Sequence, residues 1–150
     1  MQAVIQRVSS SSVIADGVLS GQIGQGLVIL LGVAKGDEEK DAELLATKIA
    51  KLRIFSDENG KMNRSLVDIH GGALVISQFT LYADCRHGNR PGFSAAEDPV
   101  RAEELYEYFC EKLGEEAGIR IEKGVFGAEM KVSLVNDGPV TIILEKEHEG

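Results

Sequence analysis

The stretch KVSLVNDGPVTIILE, residues 131–145, holds two apolar runs separated by the four residues DGPV, 137–140. Runs of this length and composition predict two β-strands. An Asp-Gly pair alone would suffice for a tight hairpin turn between them. Pro139 adds two restrictions, because it has no backbone N–H and it fixes φ where the second strand would begin to pair. Turn formation therefore does not explain why Gly138 is followed by proline.

Strand signals also dominate the first third of the chain. Two predicted strands flank Asp16-Gly17, a dipeptide that favours a tight hairpin turn. The segment GLVILLGVA, residues 26–34, is a near-continuous apolar run, typical of a strand that is covered on both faces. GQIGQG, residues 21–26, leads into this strand and not into a helix, so we interpret it as a hairpin connection and not as a phosphate-binding loop.

Two helices are expected between the strands. Asp37 is expected to cap the first helix, in which apolar residues recur at helical spacing. Asp98 and Pro99 have the residue types of an N-cap and a first helical position, and Gly118 is expected to end this second helix. The order β-β-β-α-β-β-α-β-β-β predicts an α/β fold with mixed sheets and with the helices gathered on one side, in a single domain.

Composition narrows the possible classes of function. A chain of 150 residues with 43% hydrophobic residues suits one globular domain. No apolar run approaches the ~20 residues of a membrane-spanning helix, so we expect a cytoplasmic protein. The net charge of −8 argues against wrapping a nucleic acid. The basic segment RHGNR, residues 86–90, suits contact with one end of a nucleic acid instead.

Cys85 and Cys110 are the only cysteines, and neither has the spacing of a zinc site. We therefore interpret them as incidental or buried thiols and expect no metal and no cofactor.

The predicted strand ALVISQFTLYA, residues 73–83, contains the polar residues most suggestive of a catalytic role. These residues lie in the run Ser77, Gln78, Phe79 and Thr80. Strict alternation would place Ser77, Phe79 and Leu81 on one face of this strand, which is an ordinary strand pattern. A nucleophilic serine or threonine needs a base within hydrogen-bond reach. The histidines offer no such neighbour, since His70, His87 and His148 are predicted to lie in a turn, a loop and the tail. Arg7 and Met130, taken alone, read as a solvent-facing and a core residue. Residue by residue, the sequence predicts no reaction.

SQFTLYA, residues 77–83, and NDGPVT, residues 136–141, together closely resemble the two signature motifs of the D-aminoacyl-tRNA deacylases, formerly called D-tyrosyl-tRNA deacylases. Other segments resemble that family in the same order: MQAVIQRVSSSSV (1–13), DGVLSGQIGQGLVILLGVAKGD (16–37), GNRPGFSAA (88–96) and FGAEMKVSLVNDGPVTIIL (126–144). The likeness covers essentially the whole chain up to Glu145. Several motifs in register over one domain make a specific signal.

The resemblance implies a three-layer (ββα) sandwich and a cytoplasmic homodimer without a cofactor. Its implied activity is hydrolysis of the ester between a D-amino acid and the 3′-terminal adenosine of tRNA, and of glycyl-tRNA mischarged on tRNA-Ala. The family motifs place Ser77, Gln78, Phe79 and Thr80 at the catalytic pocket. Gly138-Pro139 matches a Gly-cis-Pro dipeptide that enters the active site of the opposite subunit. Arg7 matches a residue that fixes the dipeptide, and Met130 matches a position near the pocket.

These correspondences suggest a hypothesis for chiral selection. Glycine lets a backbone approach closely, and two successive carbonyls could hold the substrate's ammonium while excluding an L-side chain. For the chemistry, backbone N–H groups around Phe79 and Thr80 could polarise the ester carbonyl. Attack by water, by the ribose 2′-OH assisting it, or by Thr80 as a covalent nucleophile all stay open.

Two other functions are also compatible with the sequence. One is an esterase for a different small acyl ester. The other is a non-catalytic dimeric RNA-binding module that uses the polar loop 84–98. The chain departs from the family pattern at Gly92 and His87, where serine and lysine are frequent, so the resemblance does not define how this loop contacts tRNA. The acidic tail 145–150 is extra and is expected to be disordered.

Overall fold

The computed structural model describes residues 1–146 of the chain, in eight strands, three helices and one 3₁₀ turn. In chain order these elements are β1 (Gln2–Ala15), β2 (Val18–Ile23), β3 (Gly26–Gly32), α1 (Glu39–Lys51), β4 (Phe55–Ser56), β5 (Met62–Arg64), α2 (Leu66–Ile69), β6 (Gly72–Ser77), the 3₁₀ turn (Phe79–Tyr82), α3 (Pro99–Ala117), β7 (Ile121–Lys123) and β8 (Met130–Glu145).

The two strands predicted around DGPV are halves of one strand, β8, so the prediction of two strands was wrong. Both halves pair antiparallel with the long strand β1, whose pairs run from Gln2 with Glu145 to Ala15 with Met130. The register shifts where Arg7 alone stands opposite residues 137–140. DGPV is therefore a bulge that leaves the strand and returns to it, and not a hairpin turn.

The other edge of β1 is shared by two strands. Residues 2–8 pair with β3, and residues 11–15 pair with β2 after the hairpin at Asp16-Gly17. β3, β6 and β7 then follow as parallel neighbours. β7 comes back to β2, where the Ser20 hydroxyl donates a hydrogen bond of 2.7 Å to the Lys123 carbonyl. The sheet is thus mixed, as predicted, and it is nearly closed into a barrel.

The central strands are buried on both faces, as the apolar run of residues 26–34 predicts. Leu27, Ile29 and Leu31 belong to a core shared with α1 and α3. Val28 belongs instead to a second core inside the curved sheet, together with Val8, Val13, Leu74 and Ile76. Each central strand contributes alternate side chains to the two cores. The curved sheet forms two layers around the second core, and the helices form a third layer over the first core.

The second helix, α3, begins and ends as predicted. The Asp98 carboxylate accepts hydrogen bonds from the N–H groups of Val100 and Arg101, at 3.2 and 3.3 Å. Pro99 is the first helical residue, and Gly118 ends the helix in the left-handed conformation. Within residues 1–146, no helix combines the length and the apolar character needed to cross a membrane.

The first helix begins one residue later than predicted. Glu38 is the N-cap of α1, through a capping box with Asp41. The Asp37 carboxylate instead accepts a hydrogen bond from the Ala34 N–H at 2.7 Å and contacts the amino group of Met1 at 2.8 Å. Asp37 therefore ties the start of β1 to the connection after β3, which a local capping pattern does not reveal.

The predicted acidic tail starts too early at Glu145. Glu145 is the last residue of β8 and pairs with Gln2, and the Lys146 N–H donates to the Met1 carbonyl at 2.8 Å. The remaining positions of that tail, 147–150, lie outside the described residues, and His148 lies among them.

Candidate active site

The SQFT segment is not a continuous strand. β6 ends at Ser77, and residues Phe79–Tyr82 form a 3₁₀ turn. The Gln78 N–H still bonds to the Leu31 carbonyl of β3 at 2.8 Å, after which the chain turns away. The alternation expected for Ser77, Phe79 and Leu81 was therefore wrong. Gly32 of β3 permits the turn, because a Cβ there would lie only 3.1 Å from the Cβ of Leu81.

The turn borders a cavity of about 550 Å³. Such a volume lies within the ~300–1,000 Å³ range of small-molecule sites. The cavity is lined mainly by apolar side chains from four parts of the chain: Val33, Ile76, Ser77, Gln78, Phe79, Phe93, Ala96, Glu97, Pro99, Ala102, Phe126, Gly127, Ala128, Met130 and Val132. Three residues of the SQFT motif thus meet Met130 in one pocket, although more than 50 positions separate them in the sequence.

Two aromatic residues of this pocket received no role from the sequence. The Phe93 ring packs edge-on against the Phe79 ring, with centroids 5.1 Å apart. Both rings are substantially exposed, and Phe79 is 57% accessible. Phe126 lines another wall. The sequence did offer one indication for Phe93, which is an aromatic residue in a polar loop rich in glycine and proline. Such a loop has no core of its own to bury an aromatic ring, so the ring is a candidate for binding a ligand.

The backbone N–H groups at the start of the 3₁₀ turn are the candidates for binding a ligand oxygen. Phe79 and Thr80 are its first two residues, and a helical turn has no acceptor of its own for its first N–H groups. Such unpaired donors beside a pocket can stabilise negative charge on a ligand oxygen.

Thr80 has the wrong neighbour for a nucleophile. Its hydroxyl accepts a hydrogen bond from the side-chain amide of Gln78. A base that activates a hydroxyl must accept its proton, whereas an amide N–H is a donor. The cavity lining includes Ser77, Gln78 and Phe79 but not Thr80.

Cys110 is also unsuited to nucleophilic chemistry. It is buried on α3, and burial raises the pKa of its thiol to about 12. Since the thiolate is the reactive form, a thiol with such a pKa is inert near neutral pH. Cys85 is exposed. Within residues 1–146, no three His, Cys, Asp or Glu side chains cluster in a way that could hold a metal ion.

Arg7 holds the DGPV bulge in place from beneath. Its side chain is nearly buried, and Nε donates to the Asp137 carbonyl at 2.9 Å while Nη1 donates to the Ile54 carbonyl at 2.7 Å. The Asp137 carboxylate also lies 3.7 Å from Nε. The solvent-facing interpretation of Arg7 was therefore wrong. One guanidinium links the bulge to the segment that follows α1.

The bulge itself points outward. Gly138 and Pro139 are exposed, and the peptide bond between them is cis. Gly138 has φ of +129°, a conformation that favours glycine. A Cβ at this position would lie 3.0 Å from the Val140 nitrogen and 3.1 Å from Arg7 Nη2. The backbone of Gly138 is thus closely confined on the protein side.

The predicted site residues fall into two places on the chain. Ser77, Gln78, Phe79 and Met130 line the cavity, and Thr80 adjoins it. Arg7, Gly138 and Pro139 form the bulge and its support, and none of these three is among the residues that line the cavity.

The polar loop beside the pocket is organised by Asp84. Its backbone exchanges hydrogen bonds of 2.7 and 2.8 Å with Gly92, which closes the loop. Its carboxylate pairs with the Arg86 guanidinium at 2.9 and 2.8 Å, and this pairing lowers the pKa of Asp84 to about 2. Arg90 is exposed and has no carboxylate within 4.0 Å among residues 1–146. The loop therefore presents Arg90 as its available cation.

A larger groove elsewhere does not contain the predicted site. About 1060 Å³ in volume and wide open, it lies between the C-terminal ends of α1 and α3, beside the end of β8. Most of its lining side chains are charged and of both signs, including Lys48, Lys51, Glu115 and Glu116. None of the predicted catalytic or substrate-binding residues is among the residues that line it.

Comparison with known proteins gives a consistent result. The sequence profile of the family described as D-Tyr-tRNA(Tyr) deacylase matches residues 4–145. A protein of Thermosipho melanesiensis named D-aminoacyl-tRNA deacylase is 55% identical over 98% of both chains. One of Ruegeria pomeroyi with the same name is 59% identical over 97% of this chain and 99% of that protein.

Solved structures show the same fold. A structure titled c-Myc DNA Unwinding Element Binding Protein superposes with a TM-score of 0.89 at 41% identity, covering 99% of this chain and 100% of that one. A probable eukaryotic D-amino acid tRNA deacylase superposes with a TM-score of 0.81 over 95% of this chain and 97% of its own. At 14% identity, that second likeness concerns the fold alone.

Proposed function

The chain belongs to the D-Tyr-tRNA(Tyr) deacylase family, and from this we propose that it hydrolyses the ester bond between a D-amino acid and the 3′-terminal adenosine of tRNA. The products are free D-amino acid and tRNA, and the reaction serves chiral quality control of translation in the cytoplasm. The observation that carries the proposal is the meeting of Ser77, Gln78 and Phe79 with Met130 around one cavity of suitable size.

The chemistry that we propose uses the backbone more than the side chains. The N–H groups of Phe79 and Thr80 bind the ester carbonyl oxygen and stabilise the negative charge that develops during attack. Water attacks, assisted by the ribose 2′-OH. An aminoacyl ester is already activated, so a contribution of ~3–4 kcal/mol from such donors is enough to matter.

Chiral selection, in this proposal, comes from the DGPV bulge of a second protomer. The bulge is exposed and does not line the cavity of its own chain. Several large apolar side chains on the strands β1, β2 and β8 are also exposed, namely Ile14, Val18, Leu19, Val132, Val135 and Ile143. Exposed apolar side chains of this kind, with Val132 at the cavity among them, suit burial in a symmetric homodimer. Arg7 then acts as a positioning residue for the bulge.

The proposed filter consists of main-chain atoms. The peptide oxygens of Gly138 and Pro139 hold the substrate's ammonium, and the backbone beside them leaves room only for hydrogen on one side of the substrate's Cα. An L-side chain collides with the backbone whatever its identity. A D-side chain points towards the mouth of the pocket. Glycyl-tRNA, which has no side chain to exclude, is then accepted as well.

The substrate's tRNA body needs only a small contact. A net charge of −8 does not favour an extended phosphate interface. The exposed Arg90 supplies a cation on the loop closed by Asp84 and Gly92, the loop that leads into Phe93 of the cavity wall. We assign it to a phosphate near the acceptor end.

The direct test is a deacylation assay on one tRNA charged with D-tyrosine, L-tyrosine or glycine. We expect hydrolysis of the D-tyrosyl and glycyl esters and sparing of the L-tyrosyl ester. Equal hydrolysis of a simple D-amino-acid ester lacking tRNA would favour a general esterase. Tight binding of tRNA without cleavage would favour a non-catalytic RNA-binding dimer.

Thr80→Ala is expected to leave turnover within about 3-fold of the wild-type value. Within residues 1–146 the recorded side-chain partner of the Thr80 hydroxyl is the Gln78 amide, a donor that cannot activate it, whereas the backbone N–H of residue 80 is retained in the variant. Single-turnover deacylation of D-Tyr-tRNA measures the effect. The variant's mass in solution and thermal stability are compared with those of the wild type. If both are unchanged and activity is abolished, Thr80 is the covalent nucleophile after all.

Two inactive variants are expected to restore each other's activity when they are co-expressed. Gly138→Val alters the bulge, because its backbone has φ of +129° and its Cβ would crowd Arg7. Phe79→Pro removes an N–H at the pocket. Random pairing gives mixed dimers with one intact site, so about a quarter of wild-type activity should return.

Each variant alone is the control for that mixing experiment, and its dimer content is measured by light scattering. Recovery requires that one chain's bulge completes the other chain's pocket. Mixed dimers are isolated with two different affinity tags. If they show no recovery of activity, the bulge either completes the pocket of its own chain or has no role at a pocket.

A further inference from the structure

One charged side chain, that of Glu97, stands in the otherwise uncharged lining of the cavity as described for residues 1–146. The surrounding wall includes Phe93, Ala96, Pro99 and Ala102. A carboxylate in apolar surroundings exerts a stronger field than one in water, because the local dielectric is lower. Among the described lining residues, Glu97 is therefore the one whose charge can attract or repel a charged ligand.

The position of Glu97 is well determined by hydrogen bonds. Its backbone N–H donates to the Val33 carbonyl at 3.0 Å, and its carboxylate accepts from the Asp98 N–H at 2.9 Å. The Asp98 carboxylate is directed elsewhere, since it caps the N–H groups of Val100 and Arg101. Glu97 itself is half-buried, so its carboxylate lies where the pocket meets solvent.

We propose that Glu97 is a specificity-determining residue, which makes deacylation slower for D-aminoacyl-tRNAs whose side chain carries a carboxylate. This inference rests on the proposed function. In the proposed pose the D-side chain leaves the pocket through its mouth, and the half-buried Glu97 is the charged side chain that the described cavity lining offers to it. Two like charges several ångströms apart at a partly solvated site repel each other, which corresponds to roughly 3- to 10-fold in rate. The proposed main-chain filter does not distinguish substrates by the shape of their D-side chain, whereas Glu97 distinguishes them by the charge of that side chain.

The test compares two isosteric substrates and two isosteric enzymes. One tRNA is chemically charged with D-glutamate or with D-glutamine, and kcat/KM is measured for the wild-type protein and for Glu97→Gln. Glu103→Gln is the matched control, because Glu103 is exposed on α3 and does not line the cavity. Because all pairs have the same shape, the four rates form a double-mutant cycle that isolates the charge interaction.

The wild-type protein and Glu103→Gln are expected to prefer D-glutaminyl-tRNA over D-glutamyl-tRNA by roughly 5-fold, and Glu97→Gln should reduce this ratio to about one. Raising the salt concentration should shrink the wild-type ratio in the same direction. The change in the ratio should come from faster cleavage of D-glutamyl-tRNA. An unchanged ratio in Glu97→Gln, or an equal loss on both substrates, overturns the inference. Failure of the wild-type protein to cleave either ester overturns the proposed function instead.

Discussion

Phe79→Pro is expected to lower kcat for D-Tyr-tRNA deacylation by ~10²–10³-fold, because it deletes one of the two N–H groups that we place at the ester oxygen. Proline suits the first position of a helical turn, where its missing N–H breaks no hydrogen bond of the turn. Gln78, the residue before it, has φ of −142° and ψ of 84°, outside the α region that a following proline disfavours. The turn should therefore persist without its first donor.

Phe79→Ala is the matched control for the loss of the aromatic ring. It removes the edge contact with Phe93 but keeps the N–H group. We expect its main effect on KM, with kcat reduced by less than about 10-fold. The comparison is made under single-turnover conditions, with circular dichroism and dimer content measured for both variants. Equal kcat values for the proline and alanine variants would exclude the Phe79 N–H as a catalytic donor.

Arg7→Met is expected to destabilise the protein by about 3 kcal/mol and to reduce deacylation by more than ~100-fold. The Arg7 side chain is about 10% exposed, and its removal leaves the carbonyls of Asp137 and Ile54 without their donor. The loss of deacylation rate should exceed what the smaller folded fraction explains, because the bulge that carries Gly138 and Pro139 loses its positioning residue. Denaturant unfolding and single-turnover kinetics measure the two effects separately.

Arg7→Lys tests whether charge alone suffices. A single ammonium cannot reproduce the two divergent donors of the guanidinium, so the lysine variant should recover stability in part and activity hardly at all. Arg64→Met is the control for a lost surface arginine, since Arg64 is paired with Glu58 at 2.7 Å in solvent and should change neither property measurably. Wild-type rates in Arg7→Met would contradict the positioning role.

Features with local causes could be predicted from the sequence. Asp98, Pro99 and Gly118 were expected to bound the second helix, and they do, because caps act through bonds within a few residues. The apolar run of residues 26–34 was expected to be covered on both faces, and the two cores on either side of β3 confirm this. The order of the motifs along the chain was likewise sufficient to indicate the family that the comparisons identify.

Features that depend on a partner strand could not be predicted in the same way. Whether DGPV is a hairpin turn or a bulge depends on the register of β8 along β1, which places Arg7 opposite residues 137–140. The 3₁₀ turn after Ser77 depends on the end of β3 at Gly32, 45 positions earlier in the chain.

The sequence by itself thus determined the caps of the second helix, the burial of residues 26–34 on both faces and the family, because these follow from neighbouring residues and from the order of motifs. Only the tertiary structure decided that DGPV is a bulge within β8, that Arg7 lies buried against it and that the Glu97 carboxylate belongs to the cavity wall. The physical reason is that pairing between distant strands sets the register, and the register sets which side chains and peptide groups meet.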